Sequence, residues 1–562
     1  MLVSDYIASF LKKRGVKDIF MLTGYGAMYL NDSIKKYRIN YYATRNEATA
    51  PIMAEAYARI KKRIGVVCVT AGPGATNAIP GLAEAFVDSA PILVISGQVD
   101  YIHTTHSTGL KNIRSFGTAE INIIPIVKPL TKYCSIITDP KKIRYELEKC
   151  FHIALSGRPG PVWLDIPLNI QRQKINLRSL KKFKRNKIKS DNSPQIKKKI
   201  YQVIKFLKKY RKPIFVVGNG VKISNTFNLI NKISEKLSIP IIFTRASQDL
   251  ASHDKKNIFG QAGIKGTKYC KFIMNNSDLV INFGSRLAPQ FIGHKFEAFQ
   301  NAKVVSIDIE NDELKKKGAK SNLKINADLK IFIPLFSKFL KKNKINVFDT
   351  WLDKCTEYKK KNTFENFYNN EKHLDLYYFM KKLDDFVPMN SILVTDAGSN
   401  YYIGGQVWKF KKKQKEISSV TNAAMGLSIP LAIGASVAEK KKIINAVTGD
   451  GSLELNIQEL KTISHYNLNI NVFVINNGGY VSMHNWTDVH FKGRRVDSKE
   501  LTGEGTFNFK KVADAFDLDY FLIKNVNDVQ KKLKNIVTRK GPKFIEVVTN
   551  PYQKIFDAFK DI

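Results

Sequence analysis

Residues 443–486 read IINAVTGDGSLELNIQELKTISHYNLNINVFVINNGGYVSMHNW, and the fold is decided by this stretch. The apolar run 443–447 leads into Gly449-Asp450-Gly451, and the run 470–475 leads into Asn476-Asn477-Gly478-Gly479. Between them Leu453, Ile457, Leu460 and Ile463 recur at helical spacing. The pattern is strand, loop, helix, strand, with polar groups at both strand ends. In a parallel sheet such ends are neighbours, and ligands bind there. A carboxylate, a carboxamide and glycine-freed backbone are hard oxygen ligands, suited to Mg²⁺ that also touches a diphosphate. The side chains of Asp450 and Asn477 and the carbonyl of Gly479 are the expected metal ligands. Gly449, Gly451 and Ser452 are expected at the phosphates, which glycine allows the backbone to approach closely.

A lone Gly-Asp-Gly would read as a tight turn. Followed by 24 residues and an Asn-Asn pair between two strands, it is the fingerprint of thiamine diphosphate (ThDP) enzymes. Over almost its whole length the chain resembles the acetolactate synthase branch of that family. It is most similar to the acetolactate synthase-like proteins associated with surface-polysaccharide gene clusters. Residues 96–99 (SGQV), 107–110 (STGL) and 127–133 (VKPLTKY) carry that closer likeness. Where acetolactate synthases have Phe-Gln-Glu and an Asp, this chain has Thr118-Ala119-Glu120-Ile121-Asn122.

The resemblance implies a role for Glu47, which precedes an AEAYAR helix and a Gly-Pro-Gly turn. Taken alone, a carboxylate at a helix start is a charge favoured by the helix dipole. In the family this glutamate shares a proton with the aminopyrimidine ring and so favours the tautomer able to take up the C2 proton. His and Gln commonly flank it; here Arg45 and Ala48 stand there. The likeness also brings Gly398, Ser399 and Asn400 to the diphosphate as hydrogen-bond donors. Met425 is the bulky residue that props the cofactor in its bent form, although a methionine in such a turn often serves only as core. Lys132 lines the substrate entrance. Trp486 shapes the acceptor pocket, with Tyr480 and His484 as hydrogen-bond donors to an acceptor carbonyl. The basic stretch Phe491-Lys492-Gly493-Arg494-Arg495 is a candidate to hold an acceptor's carboxylate or phosphate.

The expected fold class is α/β: three domains with mostly parallel sheets flanked by helices. A pyrimidine-binding domain covers 1–172, a basic linker 173–198, a Rossmann-like central domain 199–345, a second linker 346–372, and a diphosphate- and metal-binding domain 373–562. The central domain is expected from apolar runs at 213–217, 279–283 and 304–309, the first leading into Gly218-Asn219-Gly220. It binds FAD in acetolactate synthases. Arg286 and Asp308 fall at the phosphate and ribose contacts of FAD-binding members, which makes FAD a candidate ligand. A Met-His-Gly on the flavin side is Gly263-Ile264-Lys265-Gly266 here.

Composition sets the outer limits. A chain of 562 residues is too long for one core. No apolar run reaches the roughly 18 residues a membrane span needs. The first residues read as an amphipathic helix rather than a signal peptide. Five scattered cysteines, none in a Cys-x-x-Cys pair, fit a reducing cytoplasm and indicate neither a metal site nor a disulfide framework. The net charge of +42 would by itself suggest nucleic acid. Its lysines are spread over the whole chain and no nucleic-acid motif accompanies them, so neither nucleic acid nor membrane is expected as a partner.

The function these readings support is ThDP- and Mg²⁺-dependent decarboxylation of a 2-oxo acid, pyruvate first, with transfer of the acyl carbon to an acceptor carbonyl. The alternatives are a genuine acetolactate synthase, a 2-oxo acid decarboxylase or lyase, and a cofactor-binding scaffold without catalysis. The resemblance further implies a homodimer or homotetramer with active sites between subunits.

Overall fold

The structure is a computed structural model describing residues 1–184, 194–363, 373–498, 505 and 507–558. Among the described residues, the strands form three parallel sheets of six strands each, flanked by helices. The first holds β1 (Asp18–Met21), β2 (Asn40–Ala43), β3 (Gly65–Val69), β4 (Ile92–Gln98), β5 (Tyr133–Ile136) and β6 (Val162–Pro167). The second holds β7 (Pro213–Val217), β8 (Ile241–Phe243), β9 (Ile258–Gln261), β10 (Leu279–Phe283), β11 (Lys303–Asp308) and β12 (Leu323–Asn326). The third holds β13 (Ile392–Thr395), β14 (Lys415–Ser418), β15 (Ile444–Gly449), β16 (Ile470–Asn476), β17 (Asp519–Ile523) and β18 (Lys543–Val548). Their central strands are continuous runs of Val, Ile and Phe because both faces are covered.

The outer two sheets share one topology. The first runs β2-β1-β3-β4-β6-β5 and the third β14-β13-β15-β16-β18-β17. The middle sheet, read from β9, runs β9-β8-β7-β10-β11-β12, which is the doubly wound order 3-2-1-4-5-6. Its direction reverses between β7 and β10, so a ligand crevice is expected above those two strands.

The first and third sheets share one core. Helix Thr49–Lys61 and helix Ser428–Ala438 pack against each other, joining apolar residues of both sheets into one cluster. All eleven residues of Ser428–Ala438 are buried. A Cβ added to Gly434 would stand 2.1 Å from the Met53 carbonyl oxygen. Glycine at that position therefore sets the distance between the two helices.

Three sequence expectations change. The predicted helix after Gly451 is split into Asp450–Glu454, Ile457–Glu459 and Leu460–His465. Asn456 leaves helical geometry at the break, and its amide donates to the Gly426 carbonyl at 2.8 Å. The stretch 346–372, expected as a helix and linker, has its helix at Asp349–Lys361, but Trp351, Leu352 and Cys355 bury it in the central core; residues 364–372 lie outside the described residues. Its lysines hid that apolar stripe. The stretch 173–198, read as a basic linker, keeps to the first unit as far as Leu180 and Phe183, whose ring meets Tyr145 and His152. Residues 185–193 lie outside the described residues, and a helix begins already at Pro194 with Ile196 on its buried face.

Gly434→Ala tests the helix contact. Alanine adds roughly 1 kcal/mol of helix propensity, but forcing a methyl against backbone costs on the order of 1–3 kcal/mol. The expected outcome is a lower denaturation midpoint; an unchanged or higher one would show that the helices separate freely.

Candidate functional site

Four adjacent strands of the third sheet, β14, β13, β15 and β16, end in the loops read above as the cofactor cradle. Asp450 follows β15 directly and is buried. One of its carboxylate oxygens accepts the backbone N–H groups of Asn477 and Gly479, both at 3.0 Å. The other accepts the N–H of Gly451 at 3.0 Å. The loop after β16 is thereby drawn onto the end of β15, and Asp450, Asn477 and Gly479 converge as expected. Burial raises the carboxyl above its ordinary range, while these backbone donors oppose the shift.

The donor set fits a hard cation: carboxylate, carboxamide and carbonyl oxygens, with only neutral N–H groups as named partners of the buried acid. The glycines fit a diphosphate. A Cβ on Gly478 would meet nothing within 4 Å. One on Gly449 or Gly398 would meet only the hydroxyl-bearing side chains of Ser452 or Ser482, at 3.8 Å or beyond. These three loops border open space. Met425 is partly exposed, unlike a core methionine, and Gly426 beside it holds a positive φ of 79°. Ser399 and Asn400 are buried. The Asn400 amide is committed to its own loop, accepting from the Asp396 N–H at 3.0 Å and donating to the Ala397 carbonyl at 3.4 Å.

Glu47 lies two residues before helix Thr49–Lys61, between the ends of β2 and β3. Its Oε2 accepts from the Asn77 amide at 3.2 Å. A Cβ on Gly74 would come within 3.3 Å of its Oε1. The backbone of Ala119 presses on Gly72, where a Cβ would meet its carbonyl at 2.2 Å. The segment 118–122 and the Gly-Pro-Gly turn therefore belong to one assembly around Glu47.

Sequence reading missed a clamp between this assembly and the third sheet. Glu459 is fully buried. Its Oε1 accepts the Arg45 N–H at 2.8 Å and the Thr49 hydroxyl at 2.7 Å, and its Oε2 accepts the Thr462 hydroxyl at 2.7 Å. A second tie joins Asp88 to the loop before Met425. Its carboxylate accepts the N–H groups of Val420 and Thr421, both at 3.1 Å. These partners lie hundreds of residues apart, so no local pattern announces them.

A cavity of about 1340 Å³ opens over the central sheet, above the range of about 300–1,000 Å³ usual for small-molecule sites. Arg286 and Asp308 line it, and so does Trp486, which stacks on His490 at 5.0 Å. Neither Glu47 nor Asp450 does. Arg286 donates to the Thr421 hydroxyl at 3.1 Å. Burial pushes the Asp308 carboxyl up. The His484 ring donates to the Ser498 carbonyl at 2.6 Å, and neither it nor Tyr480 lines the cavity. The Lys132 ammonium caps a helix end, donating to the carbonyls of Ile153 and Ser156 at 2.6 and 2.5 Å. Burial lowers its pKa to about 8.

Comparison with known proteins agrees with this geometry. Residues 1–116 match the thiamine pyrophosphate enzyme N-terminal binding domain, 200–335 the central domain, and 396–547 the C-terminal binding domain. The chain is 29% identical to the acetolactate synthase large subunit of Lactococcus lactis, over 98% of this chain and 93% of the relative. It is 28% identical to the large subunit of Cyanidium caldarium, over 96% and 91%. It is also 28% identical to acetolactate synthase 1, chloroplastic, of Nicotiana tabacum, over 100% and 84%. Among the described residues no helix is long and apolar enough to cross a membrane.

Glu459→Ala would take the acceptor from the buried Thr462 hydroxyl and from the part-buried Arg45 N–H, at about 1–3 kcal/mol each where water cannot replace it, while the Thr49 hydroxyl keeps the Asn46 carbonyl. The expected outcome is a marked fall in thermal midpoint and earlier proteolysis in segment 44–49. A midpoint equal to the parent's would mean that the clamp contributes nothing.

Proposed function

The chain belongs to the thiamine pyrophosphate enzymes and is acetolactate synthase-like, and from that premise we propose that it is a Mg²⁺-dependent carboligase acting on a 2-oxo acid. Pyruvate is the donor proposed first. The bond to the carboxylate carbon breaks and CO₂ leaves. A new bond joins the remaining acyl carbon to the acceptor's carbonyl carbon, and the acceptor oxygen takes a proton. The observation that carries this reading is the convergence of Asp450, Asn477 and Gly479 beside glycine-lined open space.

Bound ThDP supplies the electron sink for the breaking bond. The chain's own residues bind and orient. Asp450 and Asn477 through side chains, and Gly479 through its carbonyl, would hold Mg²⁺. Gly398, Gly449, Gly451 and Ser452 would border the diphosphate, with Ser399 as a donor. The partial exposure of Met425 supports its role as the cofactor's prop. Glu47 would hold the proton shared with the aminopyrimidine, its carboxylate oriented by the Asn77 amide.

The relatives' names favour pyruvate also as acceptor, whereas the departures at Arg45, Ala48 and residues 118–122 favour a different carbonyl compound. We place the acceptor on the Trp486 side. The site needs a second copy of the chain, as a homodimer or a pair of dimers. Exposed apolar side chains rim both halves, Tyr25 and Phe116 on the Glu47 side and Leu455 and Met483 on the Asp450 side, and such rims mark association surfaces. Unpaired cysteines fit a cytoplasmic enzyme. We assign FAD to the large cavity as a bound, non-reacting group, with Arg286 toward phosphate and Asp308 toward ribose; the cavity's size and its place at the strand-order reversal support this.

The experiment is a mass-spectrometric product screen with ThDP, Mg²⁺ and pyruvate, against a panel of aldehydes and keto compounds, with CO₂ measured separately. Ligated product is expected. CO₂ with only the free aldehyde would make the enzyme a decarboxylase, and no CO₂ from any 2-oxo acid would sink the proposal. Asp450→Ala is expected to lose ThDP. Glu47→Gln is expected to retain it while CO₂ release falls by about 10²-fold or more.

The flavin assignment is checked by absorbance. Purified protein is expected to be yellow and to release FAD on denaturation. Colourless protein that gains no bound FAD on incubation would refute it.

A further inference from the structure

Asp396 stands at the carboxyl end of β13 and is only 2% exposed. One carboxylate oxygen accepts the Ala397 N–H at 2.8 Å. The other accepts the Thr448 hydroxyl at 2.9 Å and the Ser428 N–H at 3.3 Å. These donors come from three separate parts of the chain: the turn after β13, the first residue of helix Ser428–Ala438, and the end of β15. Ala397 precedes Gly398, Ser428 follows the Met425 turn, and Thr448 precedes Gly449 and Asp450. All are neutral, and burial pushes the carboxyl up against them. A buried carboxylate so surrounded is costly, whereas an apolar side chain of similar size would leave these loops unconnected.

We propose that Asp396 is the positioning residue of the cofactor cradle: its carboxylate ties the loops bearing Gly398, Met425 and Asp450, so that all three face one ligand. This rests on the reading of those loops as the ThDP site. Asp396 touches neither the open space nor the proposed metal ligands. It acts through Thr448 and Ser428, whose backbones lead directly into the glycine-lined turns.

The test is calorimetric ThDP affinity in the presence of Mg²⁺, alongside urea denaturation of the protein without cofactor. Asp396→Asn replaces one acceptor oxygen by a donor and is expected to raise the ThDP dissociation constant about tenfold or more, as loss of a hydrogen bond to a charged group does. Thr448→Val keeps the side chain's shape but removes the hydroxyl, and it should weaken binding severalfold. Thr448→Ser removes only a methyl group; it should lower the denaturation midpoint and leave ThDP affinity intact. A merely structural residue would make affinity follow stability across these variants, and that result would overturn the proposal. If Asp396→Asn does not fold, the two Thr448 variants decide: equal ThDP affinity in both overturns it. Asp450→Ala separates the proposal from the reading beneath it. Parent-like ThDP binding in Asp450→Ala would remove the cradle itself, and the positioning role with it. Loss of binding in Asp450→Ala with parent-like binding in Asp396→Asn overturns the positioning role alone.

Discussion

The contact between helices Thr49–Lys61 and Ser428–Ala438 is the constraint on which the remainder depends. Small residues make it. Ala50, Ala54 and Ala58 in one helix and Ala432 and Ala435 in the other are buried, and Gly434 admits the Met53 carbonyl. Close approach of this kind is non-directional in energy but exact in distance, because interiors pack near crystal density. Each helix also begins beside a proposed cofactor residue: Glu47 lies two positions before the first, Met425 three before the second. Packing that joins two sheets therefore also fixes, within one chain, where each of these two proposed residues stands. Glu459 repeats the same constraint in polar form, from the third sheet to the backbone of residue 45.

Around this contact lies a buried charge cluster that the packing alone does not explain. Oxygens of Glu55, Glu84 and Asp88 lie within 4.8 Å of one another, with the Arg59 guanidinium among them. Burial pushes Glu55 up to about 8, and the neighbouring acids add to the shift. A largely protonated Glu55 relieves the repulsion that three carboxylates and one cation would otherwise carry at neutral pH. Buried ion clusters rarely add net stability. What this one does is directional: Arg59 donates to the Ser418 carbonyl, Asp88 accepts from residues 420 and 421, and Glu84 accepts from the Asn422 amide. The loop before Met425 is held at four successive points by the first sheet's helices.

This division explains what was legible in the sequence. Strands, sheet class and the proposed metal-binding motif are local: apolar runs, glycines and an acid at a strand end announce themselves within a few residues. Gly449-Asp450-Gly451 and Asn476-Asn477 were readable for that reason. Trp351, Leu352 and Cys355 were local too, but lysines outnumber them, and the helix they define read as part of an exposed connection rather than of the central core. Lys132 and His484 show the converse. Their side-chain chemistry allows a substrate role, and only the fold brings up the carbonyls of Ile153, Ser156 and Ser498 that accept from them. Asp396, Glu459 and Asp88 carry no local signal at all, since each acts on backbone brought to it by other parts of the chain.

Glycine makes the same point within one residue type. Gly218-Asn219-Gly220 resembles a phosphate-binding turn, yet a Cβ on Gly218 would strike the Gly284 carbonyl at 2.3 Å and one on Gly220 the Gly284 Cα at 2.9 Å. Those glycines let β7 and β10 bring their loops together at the strand-order reversal, so a ligand of the cavity must be held beside them rather than between them. In the third sheet the glycines at 398, 449 and 478 face space instead of backbone. The two regions nevertheless share a wall. Residues 420–423 line the cavity, and two residues further on stands Met425. Arg286 reaches from the cavity to the Thr421 hydroxyl, while Asp88, which also lines the cavity, accepts that residue's N–H. An anion that drew Arg286 away would remove one of the restraints on this loop and leave the carboxylate ties in place. The separation of cavity from proposed cradle is thus only a few residues of backbone thick, and its stiffness is set by Asp88, which itself lines the cavity, together with Glu84.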